Sequence, residues 1–361
     1  MVEWKKLGEV CNLVRGKVIS KDYLRDNEGE YPVYSSQTAN NGIFGCINSY
    51  MFDGDYLTWT TDGAYAGTIF RRKGKFNITN VCGLIDITED NLNQDFLYYW
   101  LSLTAKDYVN EGMGNPKLMS NVAATISIPL PSLSEQERIV VILDTFTSSI
   151  ENLKAQISLR RKQYEHYRDK LLDLEGKEGV EMKTLGEIGE ICMCKRIMKD
   201  QTSDTGDIPF FKIGTFGGQP DAYISKDLFD EYKARYSYPK KGEILISAAG
   251  TIGRSVIFDG EDAYFQDSNI VWLSNDEKKV SNRYLYYIYK VVEWKTDGGT
   301  IKRLYNYNLK NTPIPLPSLE EQSRIVSILD EFEASIKNLE AQLEARQKQY
   351  EYYRNKLLTF E

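Results

Sequence analysis

Two stretches of the chain place hydrophobic residues at alternating steps of four and three. In the first, Ile139, Leu143, Phe146, Ile150, Leu153, Ile157, Arg160, Tyr164, Tyr167 and Leu171 keep this spacing. In the second, Ile325, Leu329, Phe332, Ile336, Leu339, Leu343, Arg346, Tyr350, Tyr353 and Leu357 repeat it. A sustained period of 3.5 residues predicts a coiled-coil seam. Ser132 with Glu135, and Ser318 with Glu321, have the spacing of a capping box at each helix start, and Pro131 and Pro317 stand just before, where proline does no harm. The seams can pair with each other or with another chain. The domain between them lets the second helix return antiparallel, which favours pairing within the chain. Arg160 and Arg346 are polar at seam positions, either setting register or reaching outward to solvent.

Elsewhere the pattern is that of short strands. Tyr31–Tyr34, Tyr56–Thr60 and Thr68–Phe70 in the first half, and Gly242–Ile246 and Ser255–Phe258 in the second, are β-branched and aromatic runs bounded by turn residues. Residues Gln94–Val109 and Asn282–Lys295 have helical spacing of apolar groups.

The chain is one module made twice. Ile128–Glu175 and Ile314–Glu361 align without gaps and are identical at about two thirds of positions. The repeat continues upstream: Lys5–Val10 matches Lys183–Ile188, Phe96–Tyr99 matches Tyr284–Tyr287, and Gly112 with Lys117-Leu118 matches Gly298 with Arg303-Leu304. The middles of the two halves diverge. This predicts an α+β protein: two β-rich globular domains joined by two long antiparallel coiled-coil helices, with an internal pseudo-twofold repeat. The expected division is 1–131, a helix over 132–175, 176–317, and a second helix over 318–361.

Composition narrows the function. No apolar run approaches membrane-spanning length, and no signal-peptide core follows Met1-Val2-Glu3-Trp4, so the expected location is the cytoplasm, with no membrane. The five cysteines show no paired framework, and Cys192-Met-Cys194 lacks the second cluster that zinc would need. A net charge of −7 leaves no overall basic footprint, although local basic patches can still bind phosphates. The 25 tyrosines suit a binding surface or a β-rich core equally. Catalytic sets are missing: the single histidine, His166, falls on a solvated helix face, which removes Ser-His-Asp and Cys-His schemes, and no phosphate-binding P-loop occurs. Asn115-Pro116-Lys117-Leu118 lacks the second proline and the aromatic of an amino-methyltransferase motif.

What remains are loops suited to nucleic acid. Arg71-Arg72-Lys73-Gly74-Lys75 is the densest basic cluster, expected at a hairpin turn, and Lys195-Arg196, Lys240-Lys241 and Lys302-Arg303 are basic pairs. Thr58–Gly67 and Ser247–Arg254 are corresponding glycine loops after a strand, where small residues permit close backbone approach. Ser35–Asn41 is rich in the amides and hydroxyls that read base edges. Ordinary solvated turns would share these features.

The order of variable domain, Pro-Leu-Pro-Ser-Leu helix, variable domain and second such helix closely resembles the specificity subunit of type I DNA restriction–modification enzymes. The marks are Pro129–Gln136 and Pro315–Gln322, the Arg-Ile-Val stretch after each, and the loops Tyr56–Gly63 and Ile246–Thr251. The resemblance covers essentially the whole chain. It implies a non-catalytic reader of a bipartite double-stranded DNA target, one target recognition domain per half-site, with the helices as a spacer. It also implies two adenine methyltransferase subunits and restriction/translocase subunits as partners, which would carry the S-adenosylmethionine, ATP and Mg. No cofactor is expected in this chain.

Within that resemblance, Lys117, Lys302 and Arg303 are expected to contact phosphates, as are Arg71, Arg72, Lys73 and Lys75. Ser36, Gln37, Trp59, Thr61, Asp62 and Tyr65 are the base-reading candidates of the first domain. Lys212, Thr215, Thr251 and Arg254 are those of the second. The competing readings are a coiled-coil scaffold whose β-rich domains bind proteins, and an enzyme acting alone.

Overall fold

A computed structural model describes residues 2–298 and 302–360. It divides into two compact units, one of residues 1–154 with 342–361, the other of residues 155–341. Each unit therefore holds one globular domain, the N-terminal half of one long helix and the C-terminal half of the other. The helices run Leu133–Leu172 and Leu319–Leu357.

In the first unit, strands β1 (Glu3–Lys6) and β8 (Ser127–Leu130) form a two-stranded antiparallel sheet. The remaining strands are β2 (Cys11–Arg15), β3 (Glu28–Tyr34), β4 (Ile43–Ile47), β5 (Phe52–Thr60), β6 (Ile69–Ile78) and β7 (Cys82–Ile87). They make one sheet in the order β2-β7-β5-β6-β3-β4. The central strand β5 loses the alternation of a half-exposed strand: Leu57, Thr58, Trp59 and Thr60 are all buried. A strand covered on both faces has no solvent side to present.

The second unit repeats the frame and varies the filling. Strands β9 (Glu181–Thr184) and β17 (Pro313–Leu316) pair as β1 and β8 do. Strands β10 (Gly189–Met193), β13 (Ile244–Ser247), β14 (Ser255–Ile257) and β16 (Ile270–Asn275) form a sheet in the order β10-β16-β13-β14. Strands β11 (Ile208–Phe211), β12 (Tyr223–Ile224) and β15 (Tyr264–Phe265) form a separate three-stranded sheet. A helix over Lys226–Arg235 packs Phe229 into the same small core and has no counterpart of its length in the first half.

The predicted seams pack as intended. In the first unit Phe146 stacks on Tyr353 at 5.4 Å, and in the second Tyr167 stacks on Phe332 at 5.5 Å. In the second unit Arg161 pairs with Glu340 while Tyr167 meets Phe332, so the helices there run antiparallel. Arg160 lies over the Phe332 ring and Arg346 over the Phe146 ring. The two seam arginines thus use a cation–π contact to the facing helix, a hybrid of the two expectations.

Three local readings are corrected. The capping boxes are half made: Ser132 and Ser318 accept the N–H of Glu135 and Glu321, but both carboxylates turn to Arg138 and Arg324 instead. A charge-assisted bidentate pair outcompetes one backbone N–H. The helix expected over Asn282–Lys295 ends at Ile288. The chain then breaks away to lay Trp294 on Tyr289 at 5.5 Å, against Gly253. Finally, Arg71–Lys75 is not a turn but the middle of β6, paired to Leu57–Asp53 of β5. The hairpin turn is the glycine loop itself.

Candidate nucleic-acid interface

The glycine loop of the first unit joins β5 to β6. Thr60 closes it with backbone bonds to Thr68 and Gly67, and its hydroxyl accepts the Thr68 N–H and donates to the Tyr65 carbonyl. Gly63 and Gly67 have φ of +92° and +80°, a region that disfavours any side chain. A second segment locks onto the loop: Leu118 donates to the Thr61 carbonyl, Gly63 to the Pro116 carbonyl, and Lys117 pairs with Asn110. Asp62, Tyr65 and Lys117 are brought together here. Lys117 Nζ lies 3.5 Å from Asp62, and Tyr65 is exposed.

The second unit repeats this construction on a divergent sequence. Ser247 takes the place of Thr60, its hydroxyl accepting the Arg254 N–H at 2.9 Å and donating to the Thr251 carbonyl. Leu304 donates to the Ala248 carbonyl, and Arg303 pairs with Asp297 as Lys117 does with Asn110. Two arginines from unrelated elements hold the neighbouring turns: Arg15 donates to the Asn80 carbonyl at 2.8 Å, and Arg303 to the Ser268 carbonyl at 2.8 Å and hydroxyl at 2.9 Å. Part of the expected loop Gly298–Leu304, residues 299–301, lies outside the described residues.

A cleft of about 510 Å³ opens beside that turn, lined by Arg196, Lys199, Lys212, Asp267 and Arg303 among others. Lys212 pairs with Asp221 at 2.8 Å, and Thr215 accepts the Lys212 N–H at 3.1 Å. Thr251 and Arg254 line a smaller neighbouring cleft, where Arg254 donates to the Phe216 carbonyl at 2.8 Å. Lys302 is exposed.

Several sequence candidates turn out to be buried or already engaged within the fold. Trp59 is 1 % exposed, and its indole N–H donates to the Leu118 carbonyl at 2.9 Å. A Cβ on Gly83 would lie 2.2 Å from its ring, so the sheet is built around it. Thr61 is fully buried and donates to Asp62 at 2.6 Å. Arg71 bridges Asp95 at 2.6 Å and Asp144 at 3.2 Å and stacks on Tyr98. Burial depresses its guanidinium pKa, but Asp95 and Asp144 outweigh that and raise it. Arg72 faces inward, 3 % exposed, its pKa lowered by burial. Strand alternation puts Arg72 on the inner face and Arg71, Lys73 and Lys75 on the outer one, where Arg71 is tied down by its two carboxylates. Lys73 stands free in solvent apart from a loose approach to Asp55 at 3.8 Å, and Lys75 sits over Tyr50 at 4.6 Å. Gln37 donates to the Ile43 carbonyl, beside a half-buried Ser36.

The sequence reading missed Gln136 and Gln322, both fully buried. Gln136 accepts the Asn93 N–H at 2.8 Å and donates to the carbonyls of Asn91 and Pro131. Gln322 does the same with Ser281, Lys279 and Pro317. Their presence in both motif copies was the available signal. Arg15 was missed because its contact spans 65 residues, and Arg196, read only as part of a basic pair, meets Asp267 across 71 residues. Among the described residues no cluster of three or more His, Cys, Asp or Glu could hold a metal, and no helix is long and apolar enough to cross a membrane.

The type I restriction modification DNA specificity domain matches residues 1–160 and 177–346. A relative from Haemophilus influenzae, named as a type I restriction enzyme specificity subunit, is 46% identical over 99% of this chain and 96% of its own length. One from Mycoplasma pneumoniae, named as a type I specificity subunit, is 32% identical over 98% of this chain and 96% of its own. The solved S subunit of a type I restriction–modification system from M. genitalium shares the fold with a TM-score of 0.66 at 16% identity, covering 100% of this chain and 97% of that one. A chain from a structure of type I restriction–modification complex assembly and conformational transition gives 0.61 at 19% identity, over 99% and 97%. The chain belongs to the type I restriction–modification specificity subunits, the non-catalytic DNA-recognition components of those systems.

Proposed function

We propose that this chain reads a bipartite DNA target, one half-site per globular domain, and docks adenine methyltransferase and restriction subunits in the cytoplasm. The observation that carries the reading is the duplicated loop construction. Thr60 with Leu118 and Ser247 with Leu304 hold the same backbone geometry while the side chains around it differ. A conserved scaffold with divergent exposed groups is what two readers of unlike half-sites need. Lys117, Lys302 and the cleft cations Arg196 and Lys199 supply phosphate contacts. Asp62 and Tyr65 in one domain, and Lys212, Thr215 and Thr251 in the other, stand at the reading surface. Helix length then sets the number of unread base pairs between half-sites.

Chemistry falls to the partners in this proposal. S-adenosylmethionine would sit on two methyltransferase subunits that extrude the target adenine. ATP and Mg would sit on the restriction subunits.

The test is co-expression with the cognate methyltransferase subunit and mapping of methylated adenines across the host genome. The expected result is one split motif with a modified adenine in each half, on opposite strands. A soluble complex that adds no methylation would overturn the proposal and favour a scaffold.

A further inference from the structure

Arg72 is a buried cation with no carboxylate. Its Nε donates to Thr58 Oγ1 at 3.0 Å and its Nη1 to the Asn41 carbonyl at 2.8 Å. Its guanidinium lies 3.6 Å from the Tyr34 ring centre. Nη2 is buried without a hydrogen-bond partner among the described residues. A charge held this way is costly, and a hydrophobic residue would fill a strand-facing core position more cheaply. The guanidinium is therefore worth explaining by what it supports.

It supports a strained turn. Asn40 and Asn41 have φ of +48° and +51°, and Gly42 follows at +79°. Three consecutive left-handed residues are uncommon, and such strain persists only where the surroundings over-determine it. Here Arg72 holds the Asn41 carbonyl from below, and the Ser35 N–H holds the Gly42 carbonyl at 3.1 Å. A Cβ on Gly42 would meet Arg72 Nη2 at 2.9 Å, so the turn rests directly on the guanidinium. Asn40 and Asn41 are exposed, and no hydrogen bond of their carboxamides is seen among the described residues. An exposed carboxamide on a rigid backbone matches the paired donor and acceptor of adenine.

We infer that Asn40 and Asn41 are specificity-determining residues for the half-site read by the first unit, and that Arg72 positions them. The inference rests on the DNA-reading function proposed above. It also reassigns Arg72 from a phosphate contact to a support beneath the reading loop.

Asn40→Gly and Asn41→Gly test it, because glycine keeps the left-handed backbone and removes only the amide. Each variant is co-expressed with the methyltransferase subunit, the methylated motif is mapped, and DNA affinity is measured against salt. The expected result is a roughly ten- to hundredfold loss of discrimination at one or two positions of a single half-site. The other half should be unchanged, and so should the salt slope, because no phosphate contact is lost. Arg72→Lys should relax the same one or two positions of that half-site, whereas destabilisation of the first unit would weaken every position of the half alike. An unchanged motif at wild-type efficiency in the glycine variants would overturn the assignment. So would equal loss in both halves. If the wild-type complex itself yields no split motif, the proposed function fails as well, which separates the two outcomes.

Discussion

Tyr99 donates its hydroxyl to Asp144 at 2.6 Å, tying the helix Gln94–Thr104 to the first long helix. Tyr287 donates to Asp330 in the second unit. The cation completing each site comes from different places. In the first unit it is Arg71 of β6, bridging Asp95 and Asp144. In the second it is Arg283, which occupies the repeat position of Asp95 and pairs with Asp330 and Glu333. One electrostatic pin has been built twice from unlike residues.

Arg71 is thus a structural pin. Arg71→Ala should lower the stability of the first unit by about 1 kcal/mol, since the pair is partly exposed and the stacking adds a similar small amount. Denaturant unfolding measures this. The salt slope of DNA binding should not move, and a slope that falls by about one unit would restore Arg71 as a phosphate contact.

Gln136→Ala should cost considerably more. It leaves the Asn93 N–H and two carbonyls without partners, at about 1–3 kcal/mol for each group that water cannot reach. Gln322→Ala should do the same to the second unit. Thermal melts of both single variants check it, and losses below about 0.5 kcal/mol, the level typical of surface substitutions, would show that the buried amides are dispensable.

Lys117→Ala and Lys302→Ala should weaken DNA binding evenly across sequences, each reducing the salt slope by about 0.9. Arg303→Ala should do more, because it also frees the Ser268 carbonyl and hydroxyl. Fluorescence anisotropy of the assembled complex at several salt concentrations distinguishes them. Equal effects from Lys302 and Arg303 would argue that the Ser268 contact is idle.

The thiols of Cys11, Cys82 and Cys194 are pushed up to about 12 by burial. At pH 8 the thiolate fraction is then about one in ten thousand, and the thiolate is the reactive form. A disulfide reagent should modify these three only after denaturant is added, leaving Cys46 and Cys192 as the native targets. Fast labelling of three or more thiols in the native protein would contradict the packing.

Acid stability follows from five depressed carboxylates, one of them Glu344, lowered by a hydrogen bond from Lys348. Glu135 and Glu321 are lowered by hydrogen bonds from Arg138 and Arg324, Glu187 by the Thr184 N–H, and Asp262 by Lys233. Depressed folded-state values mean that this stabilisation is fully present above the ordinary carboxylate range and is lost as pH falls below that range through the lowered values. Melting temperature should therefore begin to fall once pH drops below the ordinary carboxylate range and continue to fall toward the depressed values, and Glu187→Gln should make the fall shallower. A melting temperature that rises on acidification in that window would refute the sign.

Legibility in the sequence followed the range of the contacts involved. The seams from Ile139 to Leu171 and Ile325 to Leu357 were readable because helical contacts recur every three or four residues. The glycine loops were readable because Gly63 and Gly67 answer a local backbone demand. The basic run Arg71–Lys75 was misplaced at a turn because charge says nothing about strand pairing. Its register against Leu57–Asp53, set across the hairpin, decides that Arg72 faces in and Lys73 out.

The sequence by itself determined the duplicated frame, the paired helices and the absence of a catalytic set, all properties carried by local period, repeated motif and residue type. Tertiary structure alone decided which candidates stand at the surface. Burial is a property of neighbours brought from afar: Leu118 turns Trp59 into a core residue, Asp144 captures Arg71, and the turn at Asn41 rests on Arg72. Those contacts join residues 31 to 73 positions apart, where the spacing of side chains along the chain carries no information about their meeting.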